Sequence, residues 1–211
     1  MTIEFKEWPK TPRLLRNITI TEKIDGTNAA IGIVPTEKVE AGDPAIIAEV
    51  VSDTGEDFVV YAQSRTRLIT PGKSTDNYGF AGWVERNAAE LVKLLGEGLH
   101  YGEWWGNGIQ RGYGMAEKWF SLFNTDRYQG ISEQTALNIA AVPVLYRGPN
   151  DTEAINLAMT QLREWGSVAA PGFIKPEGVC VFQHASRTIG KVTLDKNDAG
   201  KWEAETKESA A

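Results

Sequence analysis

Residues 18–24 alternate strictly. Ile18, Ile20, Glu22 and Ile24 fall on one face, and Thr19, Thr21, Lys23 and Asp25 on the other, which predicts a β-strand. Asp25-Gly26 is a hairpin-turn pair, and 28–34 reads as the returning strand. Lys23 is therefore expected at a strand end beside a tight turn. Further strands are predicted at 45–51, 58–63, 99–104, 118–124, 142–147, 178–183 and 188–194. Helical spacing runs through Phe80, Val84, Ala88, Leu91 and Leu95 and stops at Gly96. A second amphipathic helix is predicted over 151–165, with Ile155, Ala158, Leu162 and Trp165 on its apolar face and Gly166 after it. The last dozen residues, polar and rich in alanine, predict a loose end or a short exposed helix. Strands outnumber helices and rarely alternate with them. The expected class is α+β with largely antiparallel sheets, not a doubly wound sheet.

Composition narrows this picture. With 211 residues the chain suits one large domain with a substantial core. No apolar run approaches the ~20 residues of a membrane helix, and the N-terminus lacks a basic-then-apolar secretion pattern. Asn17-Ile18-Thr19 matches a glycosylation triplet but carries no weight without such a signal. The single cysteine, Cys180, excludes an intrachain disulfide, so a reducing, cytoplasmic setting is expected. His100 and His184 have no metal-ligand spacing with each other or with Cys180, and all three read as structural, Cys180 as a buried strand residue. A net charge of −6 argues against bulk, sequence-blind nucleic-acid binding. It leaves room for a local basic groove. Lys10, Arg13 and Arg16 form one cluster and Arg65, Arg67 and Lys73 another, each reading equally as a solvated face.

Candidate chemistry begins at Lys23-Ile24-Asp25-Gly26. A lysine, with a reference pKa of about 10.4, becomes a nucleophile when its surroundings favour the neutral amine. It could then attack the α-phosphate of a nucleotide, with Gly26 letting the backbone approach closely. Five patches follow. Ser64-Arg65-Thr66-Arg67 offers a planar fork for phosphate. Tyr101-Gly102-Glu103-Trp104-Trp105-Gly106 ends a strand in a carboxylate suited to ribose hydroxyls. Its continuation Gly106-Asn107-Gly108-Ile109-Gln110-Arg111-Gly112 lacks the spacing and the βαβ context of a dinucleotide fingerprint. Trp119-Phe120-Ser121-Leu122-Phe123-Asn124 offers Phe123 for stacking on a base. Glu177-Gly178 places a carboxylate suited to Mg²⁺ before a buried-looking strand. Lys191, in Thr188-Ile189-Gly190-Lys191-Val192-Thr193-Leu194, could offset phosphate charge. Each patch alone also has an ordinary reading as core, turn or solvated surface; their order along the chain carries the weight.

That order, from Thr21 to Leu194, resembles the covalent nucleotidyltransferases: ATP-dependent DNA and RNA ligases and mRNA capping enzymes. Thr21-Glu22-Lys23-Ile24-Asp25-Gly26-Thr27-Asn28 looks most like the RNA ligase 2 type. The resemblance implies an adenylyltransferase fold of two antiparallel sheets holding the nucleotide between them. It implies ATP with Mg²⁺ (or Mn²⁺), and polynucleotide ends as substrate, RNA ahead of DNA. By resemblance Lys23 would become adenylylated, Glu22 would lie beside the adenine, and Gly26 would belong to the nucleotide site. Arg65 would contact the nucleotide phosphate or a 5′-phosphate end, Glu103 the ribose, and Phe123 the adenine face. Glu177 would place the metal and Lys191 would engage the α-phosphate.

Two departures stand out. The family's last motif carries two lysines one residue apart, whereas Lys191 is followed by Val192 and Thr193, with Lys196 as the one further candidate. Residues 195–211 are too few for an OB-fold or an RNA ligase 2-type C-terminal domain, so 1–211 is expected to be a single adenylyltransferase domain. Three functions compete: a ligase, an enzyme that adenylylates ends or another substrate without joining them, and a degenerate nucleotide-binding domain.

Overall fold

A computed structural model describes residues 3–195, so the expectations for Lys196 and the C-terminal tail lie outside the described residues. In chain order the elements are β1 (Asn17–Lys23), β2 (Thr27–Pro35), β3 (Ala48–Val51), β4 (Asp57–Ser64), β5 (Leu68–Ile69), α1 (Phe80–Arg86), α2 (Ala88–Leu95), β6 (Gly98–Gly106), β7 (Lys118–Leu122), β8 (Ile139–Ala141), β9 (Val144–Pro149), α3 (Thr152–Trp165), β10 (Gly178–Gln183) and β11 (Thr188–Thr193). The strands make two sheets. The smaller runs β11-β10-β1-β9 and is antiparallel throughout; the larger runs β3-β4-β2-β6-β7-β8, with β5 on β4, and only β7–β8 is parallel. The α+β class is as expected.

Each sheet buries one face under helices. Ile31, Ile33, Val60 and Phe120 of the large sheet pack with Phe80, Val84 and Leu91 of α1 and α2. Ile18, Ile20 and Val179 of the small sheet pack with Ala158, Met159 and Leu162 of α3. A third cluster joins Ile24 and Val142, from the two segments that cross between the sheets, to Trp105 of β6, Tyr113 of the loop after it and Ala170 of the segment after α3.

The expected hairpin at Asp25-Gly26 does not form. β1 pairs with β9 and β10, and β2 pairs with β4 and β6. The turn carries the chain from one sheet to the other. Gly26 serves that crossing by its lack of a side chain: a Cβ there would lie 2.5 Å from the Trp104 carbonyl oxygen and 2.7 Å from the Trp105 Cβ. So the close approach is to β6, where a nucleotide contact had been expected. A second crossing explains the strand predicted over 142–147. β8 belongs to the large sheet and β9 to the small one, and the break falls at Val142-Pro143, proline having no N–H to give to a ladder.

The helix expected over 80–95 is two helices. Asn87 sits at φ −114°, ψ 12°, and its side-chain amide donates to the Trp83 carbonyl at 2.7 Å, competing with the helical backbone as short polar side chains do. Trp165, predicted on the apolar face of α3, is 78% exposed; the buried stripe is Ala154, Ala158, Met159 and Leu162. The helix ends there because Gly166 turns away at φ +84° and packs on the Phe173 carbonyl, so the 166–174 segment lies beside the helix end.

Candidate active site

A cleft of about 680 Å³ opens on the side of the two sheets away from their helices. That volume suits a ligand of nucleotide size. From the small sheet it takes Thr19, Thr21 and Lys23 of β1 and Cys180 and Phe182 of β10; from the large sheet, Asn28, Arg65, Tyr101, Glu103 and Phe123. Hollows of similar volume around Asp53 and Lys93 hold no comparable convergence of groups from both sheets.

Lys23 ends β1 and turns its Nζ to Glu177 Oε2 at 2.5 Å, with the two side chains only 23% and 15% exposed. Register explains the meeting. Lys23 stands opposite Gly178, so the residue just before β10 reaches the end of β1. Glu103 comes from the other sheet, in register with Asn28 of β2. Its Oε1 accepts the Gly26 N–H at 3.1 Å, which ties it to the crossing turn. Burial pushes the Glu103 carboxyl up to about 7; Lys23, the Gly26 N–H and Arg65 pull it down, and Glu177 pushes it up. Glu103 is therefore half-protonated near neutrality and can donate as well as accept a hydrogen bond.

Arg65 occupies the exposed turn between β4 and β5 at the cleft rim. Its neighbour Arg67 is used structurally, donating to the Thr75 and Asp76 carbonyls. Phe123 follows β7, is 40% exposed, and lines the wall that also carries Tyr101; Phe182 lines the opposite sheet. Lys191 is exposed on β11 across from Cys180, which itself stands across from Thr21. Directly paired residues share a sheet face, so Lys191 belongs to the cleft-facing row but at its outer margin. Cys180 is half-buried, not buried as expected, because this row faces the cleft. His100 is structural: it lies under the large sheet bonded to Tyr128 and the Gly96 carbonyl, and burial pushes its pKa down to about 4. His184, expected to be structural as well, is exposed at the cleft margin, 2.9 Å from the Thr19 hydroxyl.

Glu22 also lines the cleft, with its carboxylate bound inside the protein. Its carboxylate is buried and accepts from the Ser167 hydroxyl at 2.6 Å and from the Val168 and Ala169 N–H groups at 2.8 and 2.9 Å. Burial raises its pKa and these three bonds lower it. The side chain fastens the 167–170 turn to β1.

Among the described residues no group of three or more His, Cys, Asp and Glu could form a protein-built metal cage. Glu177 and Glu103, the first close enough to raise the pKa of the second, fit a different arrangement. A magnesium-like ion takes one or two carboxylates and completes its shell with water and phosphate oxygens. Sequence reasoning missed Asn28, Tyr101 and Phe182, although Asn28 and Tyr101 stand inside patches that had been singled out.

The RNA ligase family profile matches residues 16–198. No curated protein matches the chain. An arginine-to-alanine mutant of Naegleria gruberi RNA ligase, solved with ATP and Mn, aligns over 86% of this chain with a TM-score of 0.56 and 13% sequence identity. The alignment covers 51% of that protein, so the chain spans about half its length. At that identity the likeness is one of fold.

Proposed function

The chain belongs to the RNA ligase family, and from that premise we propose that it is an ATP-dependent nucleotidyltransferase that adenylylates its own Lys23 and joins RNA 5′-phosphate to 3′-hydroxyl ends. The observation that carries the reading is that Lys23 and Glu103, from two different sheets, line one cleft, with Glu177 bonded to Lys23 and close enough to Glu103 to raise its pKa.

Three displacements at phosphorus make up the cycle. The Lys23 ion pair with Glu177 opens and the amine gives up its proton. Nζ attacks the α-phosphorus of ATP; a P–N bond forms, the bond to the bridging oxygen breaks, and pyrophosphate leaves. An oxygen of the polynucleotide 5′-phosphate then attacks the same phosphorus, and Lys23 departs and recovers a proton. Last, the 3′-hydroxyl attacks the 5′-phosphorus, loses its proton and expels AMP. Such displacements depend on alignment and on charge placed where it develops. On this reading Glu103 binds the ribose hydroxyls, Phe123 stacks on the base, Arg65 contacts a phosphate at the rim and Lys191 engages the α-phosphate. A divalent ion would be held by Glu177, with Glu103 beside it, and would supply electrostatic stabilisation of the phosphates.

Intact-protein mass spectrometry after incubation with ATP and Mg²⁺ should show the gain of one AMP, absent in Lys23→Ala. Retention of the adduct in Lys23→Ala would sink the assignment. The net charge of −6 favours a second reading, AMP transfer without efficient joining. Nicked and single-stranded 5′-phosphorylated RNA separate the two: joined product supports the first, and an accumulated AMP-capped end the second.

A further inference from the structure

The glycine-rich run after β6 fits no dinucleotide fingerprint, but its conformation is specific. Gly106, Gly108, Gln110, Gly112, Tyr113 and Gly114 all have positive φ, between 44° and 103°. The chain curls through three successive turns, Ile109 N–H to Gly106 O, Gly112 N–H to Ile109 O and Met115 N–H to Gly112 O. Glycine makes such curling cheap. The result is that Arg111 and Tyr113 project under the Lys23 turn.

Tyr113, 2% exposed, accepts the Asp25 N–H on its hydroxyl at 2.8 Å. Arg111 reaches three separate stretches of chain. Its Nε pairs with Asp25 Oδ2 at 2.8 Å. Its Nη1 donates to the carbonyls of Lys175 and Pro176 at 3.0 and 3.4 Å. Its Nη2 pairs with Asp195. These contacts fall two residues after Lys23, immediately before Glu177 and four residues after Lys191. One planar fork therefore touches the chain beside each of three candidate functional residues.

We propose that Arg111 is a positioning residue, setting the placement of Lys23 against Glu177 by clamping Asp25 to the Lys175–Pro176 carbonyls. The inference rests on Lys23 being the adenylylated residue. Both ends of the Lys23–Glu177 pair lie within two residues of an Arg111 contact, so loss of the fork frees them to move independently. Lysine is no substitute, because a single ammonium does not reproduce a rigid fork that engages a carboxylate and two carbonyls together.

The test is the single-turnover rate of AMP addition, measured by intact mass against ATP concentration, in wild type, Arg111→Ala and Arg111→Lys, each shown folded by circular dichroism. The expected result is a rate constant at saturating ATP lower by on the order of ten- to a hundredfold in both variants, with half-saturating ATP within about threefold of wild type. A merely structural arginine would change melting temperature and yield but leave that constant intact in folded protein, and a wild-type rate in Arg111→Lys overturns the proposal. Competitive acetylation of Lys23 with acetic anhydride, read by peptide mass spectrometry, requires no ATP. Its reactivity relative to the exposed Lys38 and Lys93 should rise several-fold in Arg111→Lys, and an unchanged ratio overturns the proposal equally. If wild type gains no AMP, the functional reading fails, and the acetylation ratio still decides whether Arg111 positions Lys23.

Discussion

Gly26→Ala probes the packing of the crossing turn while keeping the N–H that binds Glu103. Gly26 does not have a left-handed φ, so alanine meets no backbone strain there. Its cost is steric. The new methyl would lie 2.5 Å from the Trp104 oxygen, 2.7 Å from the Trp105 Cβ and 3.0 Å from the Glu103 Cγ. The first is roughly 1 Å short of ordinary contact, and neither the β6 backbone nor Trp105, 2% exposed, is free to yield. Overpacking of this kind costs about 2–3 kcal/mol. The displacement also separates the turn bearing Lys23 from the strand bearing Glu103, and an error of about 1 Å there should slow AMP addition on the order of a hundredfold. Gly190→Ala is the control. It lies on β11 beside Lys191, its φ is not left-handed, and its Cβ would meet nothing within 4 Å, so it should change stability by less than about 0.5 kcal/mol. Urea unfolding and single-turnover mass spectrometry read both variants. If Gly26→Ala matches Gly190→Ala in both assays, the packing account of the turn is wrong.

Removing the Glu22 carboxylate by Glu22→Ala leaves the Val168 and Ala169 N–H groups and the Ser167 hydroxyl without their acceptor, and should cost about 3 kcal/mol in urea unfolding; a loss under about 1 kcal/mol would contradict the latch. Glu103 and His100 should impose opposite pH dependences. Glu103 holds its proton more tightly folded than unfolded, so its contribution is full below about pH 4.5 and is lost as pH rises through about 7. His100 holds its proton less tightly folded, so its contribution is full above about pH 6.5 and is lost as pH falls through about 4. Relative to wild type, Glu103→Gln should gain up to about 3 kcal/mol between pH 4.5 and 7, and parallel curves for the two proteins would refute the buried-carboxyl account.

Much of the secondary structure was legible because short polar-apolar alternation fixes a strand wherever one face is buried. β10 is the clear case: the range 178–183 read from the sequence is the range observed. Sheet membership was not legible. Alternation assigns a face and says nothing about the neighbour, and Asp-Gly, usually a hairpin signal, here joins different sheets. The site was legible where motif residues stand at strand ends, as Lys23 and Glu177 do; Glu103, expected to end its strand, lies within β6, three residues before its last residue. The anchoring of the Glu22 carboxylate was not legible, because its partners, the Ser167 hydroxyl and the N–H groups of Val168 and Ala169, come from an irregular turn 145–147 residues away that no periodicity reports. Arg111 was overlooked for a related reason: a run of glycines was tested for one ligand-binding pattern and carried a different function once that pattern failed.

The topology supplies a reason for the spacing of the first motif. A nucleophile on one sheet and a carboxylate on the other meet only if the chain changes sheets within a few residues of the nucleophile. Lys23 is the last residue of β1 and Thr27 the first of β2, so three residues make the crossing. Ile24 is buried in the cluster between the sheets, Asp25 is held by Tyr113 and Arg111, and Gly26 presses on β6 while its N–H binds Glu103. Each position thus has one physical demand: an apolar anchor, a carboxylate for the clamp, and no side chain at all. A longer turn would loosen Lys23 from Glu103, and a bulkier third residue would push them apart. On this account the motif is a joint between two sheets as well as the place of the proposed nucleophile, and its geometry depends on the β6 edge and the glycine-rich loop that follow about eighty residues later.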